Sequence, residues 1–258
     1  MKNGICGLRK KQAVLKKSHL LPKSAYKVLR NSGTRISPPT KVEIDRKRFV
    51  QTNRQVVAYF LCGKCEQAFS AKGEDVVSKL WARGDKFPLL DTLQKLLPVS
   101  VRGENYGYAS EDLDSFIVRS LHYFAVSVVW RAIKWPGGDC SFGNADVRIR
   151  YESMKKIEEY LLGECIYLED SLILISVNTY NGLNDIITVP LCRAGAALNF
   201  LEFYILGLRF RVFLNPLYSK SELSVVENGS NVMIMAADHG NDPFIKEVAK
   251  FFFMNNLY

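Results

Sequence analysis

The chain lacks a long apolar run free of charge. Its most apolar stretch, Leu113–Trp135, is broken by Asp114, Arg119, His122 and Arg131. That pattern points to a buried helix and away from a membrane span. A secretion signal is also missing, because no apolar segment follows the basic N-terminus. A cytoplasmic location without a membrane partner is therefore expected, and there cysteines stay reduced. The six cysteines, Cys6, Cys62, Cys65, Cys140, Cys165 and Cys192, then read as free thiols or metal ligands. The C-terminal half has no glycine-rich phosphate loop behind a strand, so nothing there announces nucleotide binding. Cys192-Arg193-Ala194-Gly195 offers only small residues at a turn. Internal repeats and low-complexity tracts are absent as well, which excludes a solenoid.

What is present is a core and an uneven charge. Hydrophobic residues make up 48% of the 258, and aromatics 12%, enough for one large domain or two small ones. Residues 1–54 hold 15 Lys and Arg against Glu43 and Asp45, a net of +13. The remainder holds 20 basic and 24 acidic residues, a net of −4. A segment this basic favours a polyanion through counterion release; a solvated basic tail is the alternative.

Periodicity predicts a strand over Ala13–Leu21, a short helical turn over Ser24–Arg30 and a loop over Asn31–Thr40. Gln55–Leu61 reads as a strand and Cys62–Trp81 as a helix weakened at Gly73. Residues 86–110, rich in turn formers, read as a linker. Helices follow over Glu111–Trp135 and Tyr151–Leu162, the second stopped by Gly163. Strands are expected over Ser171–Val177, Ile186–Leu191, Phe203–Leu214 and Asn231–Met235, and a closing helix over Pro243–Met254. Phe251, Phe252 and Phe253 make that last helix either core or interface. The fold class expected is α+β: a small N-terminal unit (1–85), then a mixed helix and antiparallel-sheet domain (111–258).

Three pieces of the first quarter carry chemistry: Cys6, then Ser18-His19-Leu20-Leu21-Pro22, then Leu61-Cys62-Gly63-Lys64-Cys65-Glu66. A histidine closely followed by proline, with Leu-Cys-x-x-Cys about forty residues later, resembles the HNH group of the His-Me finger nucleases. The resemblance implies a zinc-stapled ββα-metal finger over 1–85 and hydrolysis of phosphodiester bonds. It implies structural zinc at Cys6, Cys62 and Cys65, with Asn3 standing where a fourth cysteine is usual. Buried reduced cysteines without metal are the alternative.

The resemblance makes His19 the general base. A neutral imidazole near pH 7 suits that task. It also implies a divalent cation, magnesium or manganese, held by Glu66, an oxygen ligand suited to it. Ser18 stands where the family usually has an aspartate, and Glu66 where it has a histidine or asparagine. The asparagine that orients the base is usual five residues before the knuckle, where this chain has Val57. Asn53 is the nearest candidate, and a polar loop residue is the other reading of it.

Lys23, Lys27 and Arg30 share a helical face and could grip phosphates, with Tyr26 stacking beside them; a solvated basic face is the alternative. Glu74 is a further acidic group or mere surface charge. His122 reads as a packed residue and His239 as a surface turn.

Two functions stay open. One is a metal-dependent endonuclease acting on DNA (RNA being a second substrate), of the kind that resembles anti-phage defence effectors. Its C-terminal part would sense, oligomerise or receive an activating protein. The other is an inactive zinc-knuckle module that binds nucleic acid or protein.

Overall fold

The structure is a computed structural model that describes residues 2–31, 40–43, 48–136, 151–168, 171–194, 199–214 and 231–254. It is mixed α and β throughout, as composition and pattern indicate. Strands β1 (Lys2–Ile5), β2 (Gln12–His19) and β5 (Val57–Cys62) form a three-stranded antiparallel sheet in that order. Helix α2 (Gly63–Phe69) starts directly at the end of β5. It runs into a π-helical turn (Ser70–Glu74) and a last α-turn, α3 (Asp75–Val77). The single helix expected over 62–81 is thus three segments. Gly73 explains the interruption: a Cβ there would lie 3.1 Å from the Phe124 Cα, so the segment packs backbone to backbone.

The region between β2 and β5 is not a bare loop. It holds helix α1 (Lys23–Asn31) and a hairpin of β3 (Thr40–Glu43) and β4 (Arg48–Gln51). Residues 32–39, most of the predicted loop, lie outside the described residues. The expected linker also proves structured. Residues 86–110 carry helix α4 (Pro88–Leu93) and a hairpin of β6 (Ser100–Arg102) and β7 (Asn105–Tyr108). Proline opens α4, where its missing N–H costs nothing.

That hairpin is one edge of a seven-stranded sheet ordered β6-β7-β12-β8-β11-β10-β9. The other strands are β8 (Ser171–Asn178), β9 (Leu191–Ala194), β10 (Asn199–Ile205), β11 (Leu208–Leu214) and β12 (Val232–Ala237). It is not wholly antiparallel, because β12 inserts beside β8 in parallel. The single strand expected over 203–214 is a hairpin. Leu206 and Gly207 turn it with φ of 48° and 82°, left-handed values that glycine accepts readily. The predicted 186–191 strand is a lone bridge at Ile187 followed by β9.

Helix α5 (Ser115–Lys134) is the centre of the molecule. Asp114 caps it, accepting a 2.7 Å hydrogen bond from the Phe116 N–H. It is long and apolar enough to cross a membrane, but 78% of its apolar window is buried inside the protein. One side meets the N-terminal unit: Phe60 stacks on Trp130 at 5.4 Å, and Phe69 meets the same indole edge-on at 6.0 Å. The other side meets the large sheet, with Phe124 against Phe210 at 5.5 Å and Phe203 at 6.1 Å. One hydrophobic cluster therefore runs from Cys6 to Ile234, so the two expected units share a core. Each large ring contributes about 2–3 kcal/mol by leaving water.

Helix α6 (Tyr151–Leu162) packs beside α5. As expected, His122 is buried: its ring nitrogens lie 2.9 Å from the Tyr160 and Ser171 hydroxyls. His239 is not a surface turn. It is 2% exposed and hydrogen-bonds the Ser176 hydroxyl at 3.0 Å. Helix α7 (Pro243–Met254) closes the described chain; the side chains of Phe251, Phe252 and Phe253 lie outside the described residues.

Candidate metal centre and histidine cleft

Three cysteines distant in sequence meet. The Cys6 thiol sits in the turn after β1, Cys62 ends β5 and Cys65 lies in the first turn of α2. All three are buried, with the three sulfurs within 4.8 Å of one another. Cys65 Sγ is 3.7 Å from Cys6 Sγ and 3.6 Å from Cys62 Sγ. These spacings are too long for disulfides, and the three are free thiols. A tetrahedral zinc with Zn–S bonds of about 2.3 Å needs sulfurs about 3.8 Å apart. The cluster therefore fits such an ion and could hold a metal.

Its electrostatics favour a thiolate. The Cys65 thiol and the N–H groups of Leu8, Arg9 and Cys62 surround Cys6 Sγ and hold its pKa down, to about 4, against the effect of burial. Cys65 is pushed up by donating to Cys6 and by burial. Asn3 does not complete the set. It is exposed on β1 opposite Val14, three extended residues or about 10 Å along the strand from Cys6. Among the described residues no fourth histidine, cysteine or carboxylate joins the group. Cys140 lies outside the described residues.

Beside this cluster β2 delivers Ser18 and His19. Ser18 is fully buried, and its Oγ accepts a 3.1 Å hydrogen bond from the Leu61 N–H. It is tied to the strand pair and stands within hydrogen-bonding reach of Glu66. Buried Leu20 and Leu21 anchor the chain just after His19, before Pro22 leads into α1. His19 pairs with Val57 across the sheet and lines an open cleft of roughly 440 Å³. Lys17, Lys23, Asn53, Arg54, Gln55 and Val57 line it too.

The His19 pKa lies below its ordinary value. Burial is the main cause, and Lys23 and Arg131 add to it; Gln55 and Glu74 oppose. The imidazole is thus neutral at pH 7, able to accept a proton. Glu66 moves the other way: burial and Glu74 raise it, while Ser18 and Arg131 hold it down. Its Oε1 is buried without a hydrogen-bond partner among the described residues. Glu74 and Arg131 act on both His19 and Glu66.

Arg131 was not foreseen. It comes from α5, is 1% exposed, and donates to the His19 carbonyl at 2.9 Å. It also pairs with Glu74 at 2.7 Å and lies over the Phe69 ring. Glu74 is therefore an ion-pair partner of the site rather than free surface charge. Gln55 was missed as well: it reaches the His19 ring, whereas Asn53 lines the cleft. Its place two residues before Val57, the residue opposite His19, was the available signal. Lys23, Lys27 and Arg30 are exposed on α1 as predicted. Tyr26 is half-buried against the core, so its ring is already partnered.

No protein-family model, curated protein or solved structure matches the chain.

Proposed function

We propose that the protein is a metal-dependent endonuclease of the HNH type that hydrolyses phosphodiester bonds in DNA. The observation that carries the reading is a neutral His19 lining a cationic cleft; a buried Glu66 oxygen with no hydrogen-bond partner among the described residues, under the influence of the same Arg131 and Glu74, supports it. The strand–strand–helix order of β2, β5 and α2 supports it, as does the cysteine cluster, which in this reading binds structural zinc.

Lys17, Lys23 and Arg54 draw the phosphate backbone into the cleft, and Lys27 and Arg30 extend that basic track along α1. His19 Nδ1 or Nε2 takes a proton from water as the oxygen attacks phosphorus. Arg131 fixes the histidine through its backbone carbonyl and Gln55 restrains the ring. Glu66 Oε1 would hold a magnesium or manganese ion, which when bound stabilises the charge building on the phosphate and the leaving oxygen. Ser18, buried in the strand pair, hydrogen-bonds Glu66 and orients it.

The test is cleavage of supercoiled plasmid with magnesium or manganese. Nicking by the wild type, abolished by EDTA and by His19→Ala with DNA binding retained, is expected. A second reading, an inactive zinc-knuckle binding module, is favoured by Ser18 being sealed into the strand pair where a ligand is usual. It predicts retardation of DNA on a gel by both proteins and nicking by neither.

A further inference from the structure

The second face of the large sheet, the one turned away from α5, carries a charged cluster that neither the cleft nor the core requires. On β10 and β11, Glu202 stands opposite Arg211 and Tyr204 opposite Arg209. Arg193 joins them from β9, opposite Phe200 on the same face. Asp242, from the turn before α7, closes over the group and pairs with both Arg209 and Arg211. Glu202 is gripped by Arg211 at 2.8 Å and by Arg193 at 3.5 Å.

The cluster does not neutralise itself. Three guanidinium groups share two carboxylates. Glu202, Arg209 and Asp242 are only 4%, 7% and 7% exposed, and the excess positive charge falls on the half-buried Arg193 and Arg211 at the rim of the cluster. A partly buried pair of cations at one rim attracts an anion. Arg193 Nη2 is buried there with no hydrogen-bond partner among the described residues, and the Tyr204 hydroxyl meets only Arg209. Buried donors are ordinarily satisfied, and the Arg193 donor beside the Tyr204 hydroxyl calls for an acceptor. Burial and the neighbouring Arg211 weaken the hold of Arg209 on its own proton, while Tyr204 and Glu202 oppose. Access is open on one side, where the Arg193 and Arg211 side chains are 31% and 27% exposed. The planes there are set: Arg193 lies 4.5 Å over the Phe244 ring and Arg211 5.2 Å over Phe200.

We infer that this cluster is a binding site for a phosphate-type oxyanion, with Arg193 and Arg209 as charged donors and Tyr204 as the neutral one. Guanidinium groups match the oxygen geometry of phosphate, and an acceptor-only ligand satisfies donors without adding new ones. The anion either is free phosphate or is carried by a nucleotide. The site lies on a different face of the protein fold from the DNA cleft proposed above, and it does not depend on that reading.

The test is binding of inorganic phosphate, pyrophosphate and ATP to the full chain by calorimetry and thermal shift, against sodium chloride at equal ionic strength. The basic N-terminal segment binds anions non-specifically, so the comparison is between variants. Saturable binding is expected in the wild type and in Lys23→Gln. In Arg193→Gln and Tyr204→Phe it weakens about tenfold or more. Tyr204→Phe keeps the ring and its stacking on Phe244, so the variant stays folded without anion, which its anion-free melting transition checks. Tighter binding of ATP than of pyrophosphate assigns the anion to a nucleotide, and equal binding assigns it to the free ion. No saturable binding beyond the chloride control, or unchanged affinity in both cluster variants, overturns the site.

Discussion

Replacing Arg131 by methionine removes a cation on which three elements depend. Its guanidinium is 1% exposed, neutralises Glu74 at 2.7 Å, donates to the His19 carbonyl at 2.9 Å and to the Ser127 carbonyl at 3.3 Å. Breaking a buried ion pair from one side costs about 3–5 kcal/mol because the remaining charge stays buried. The Glu74 side chain is 21% exposed, so water recovers part of that and the low end applies. The orphaned His19 carbonyl adds about 1 kcal/mol; methionine keeps the packing on Phe69. A loss of about 3–4 kcal/mol follows. Urea unfolding read by circular dichroism should show a midpoint lower by about 1–2 M. Adding Glu74→Gln to Arg131→Met should restore roughly half, since the stranded charge is then gone. A loss under about 1 kcal/mol, or a double variant as weak as the two singles added, would refute the reasoning.

The acid limb of stability should follow two histidines. Burial lowers His122 to about 4 and His239 to about 3 from an ordinary 6.5. Above pH 6.5 both are neutral folded or unfolded, and their full contribution is present. Below it only the unfolded chain takes up protons, so stability falls between pH 6.5 and about 4, by on the order of 3 kcal/mol for His122 alone; a flat profile there contradicts the burial argument. Cys65→Ser should lower bound zinc from about one per chain to near none and reduce the melting temperature, measured by metal analysis and calorimetry. Gly73→Ala should cost about 1–3 kcal/mol, because its Cβ would meet the Phe124 backbone 3.1 Å away; an unchanged melting temperature would mean the π-turn yields freely. Cleavage should rise with pH as His19 and Glu66 lose their protons and be level by about pH 7, since the His19 pKa lies below 6.5.

Elements with a strong local pattern were legible in the sequence. Helix α5 showed its burial in a nearly unbroken apolar stretch, α6 its apolar face, and β8 its Ser-Leu-Ile-Leu-Ile-Ser-Val run. The meeting of Cys6 with Cys62 and Cys65 was anticipated from the family resemblance and is present. What stayed hidden depends on contacts far apart along the chain. Arg131 lies 112 residues from the carbonyl it supports, and on an apolar helix it looked like an interruption. The 86–110 segment, dense in Pro and Gly, looked like a linker because its pairing partner, β12, lies more than a hundred residues later. The turn within 203–214 was missed because Leu206-Gly207 is not among the usual hairpin pairs. His239 seemed exposed because the Asp238-His239-Gly240 sequence favours turns; Ser176, which hydrogen-bonds its ring, belongs to β8, far back along the chain.

The central claim is that the imidazole at position 19 is the base of a metal-dependent cut. Rescue by added imidazole tests it most directly, with His19→Ala on supercoiled plasmid in manganese. The wild type should nick the plasmid, and the variant should nick it only when imidazole is supplied. His19→Ala combined with Glu66→Gln should not recover. Nicking by His19→Ala at the wild-type rate without imidazole would contradict the account.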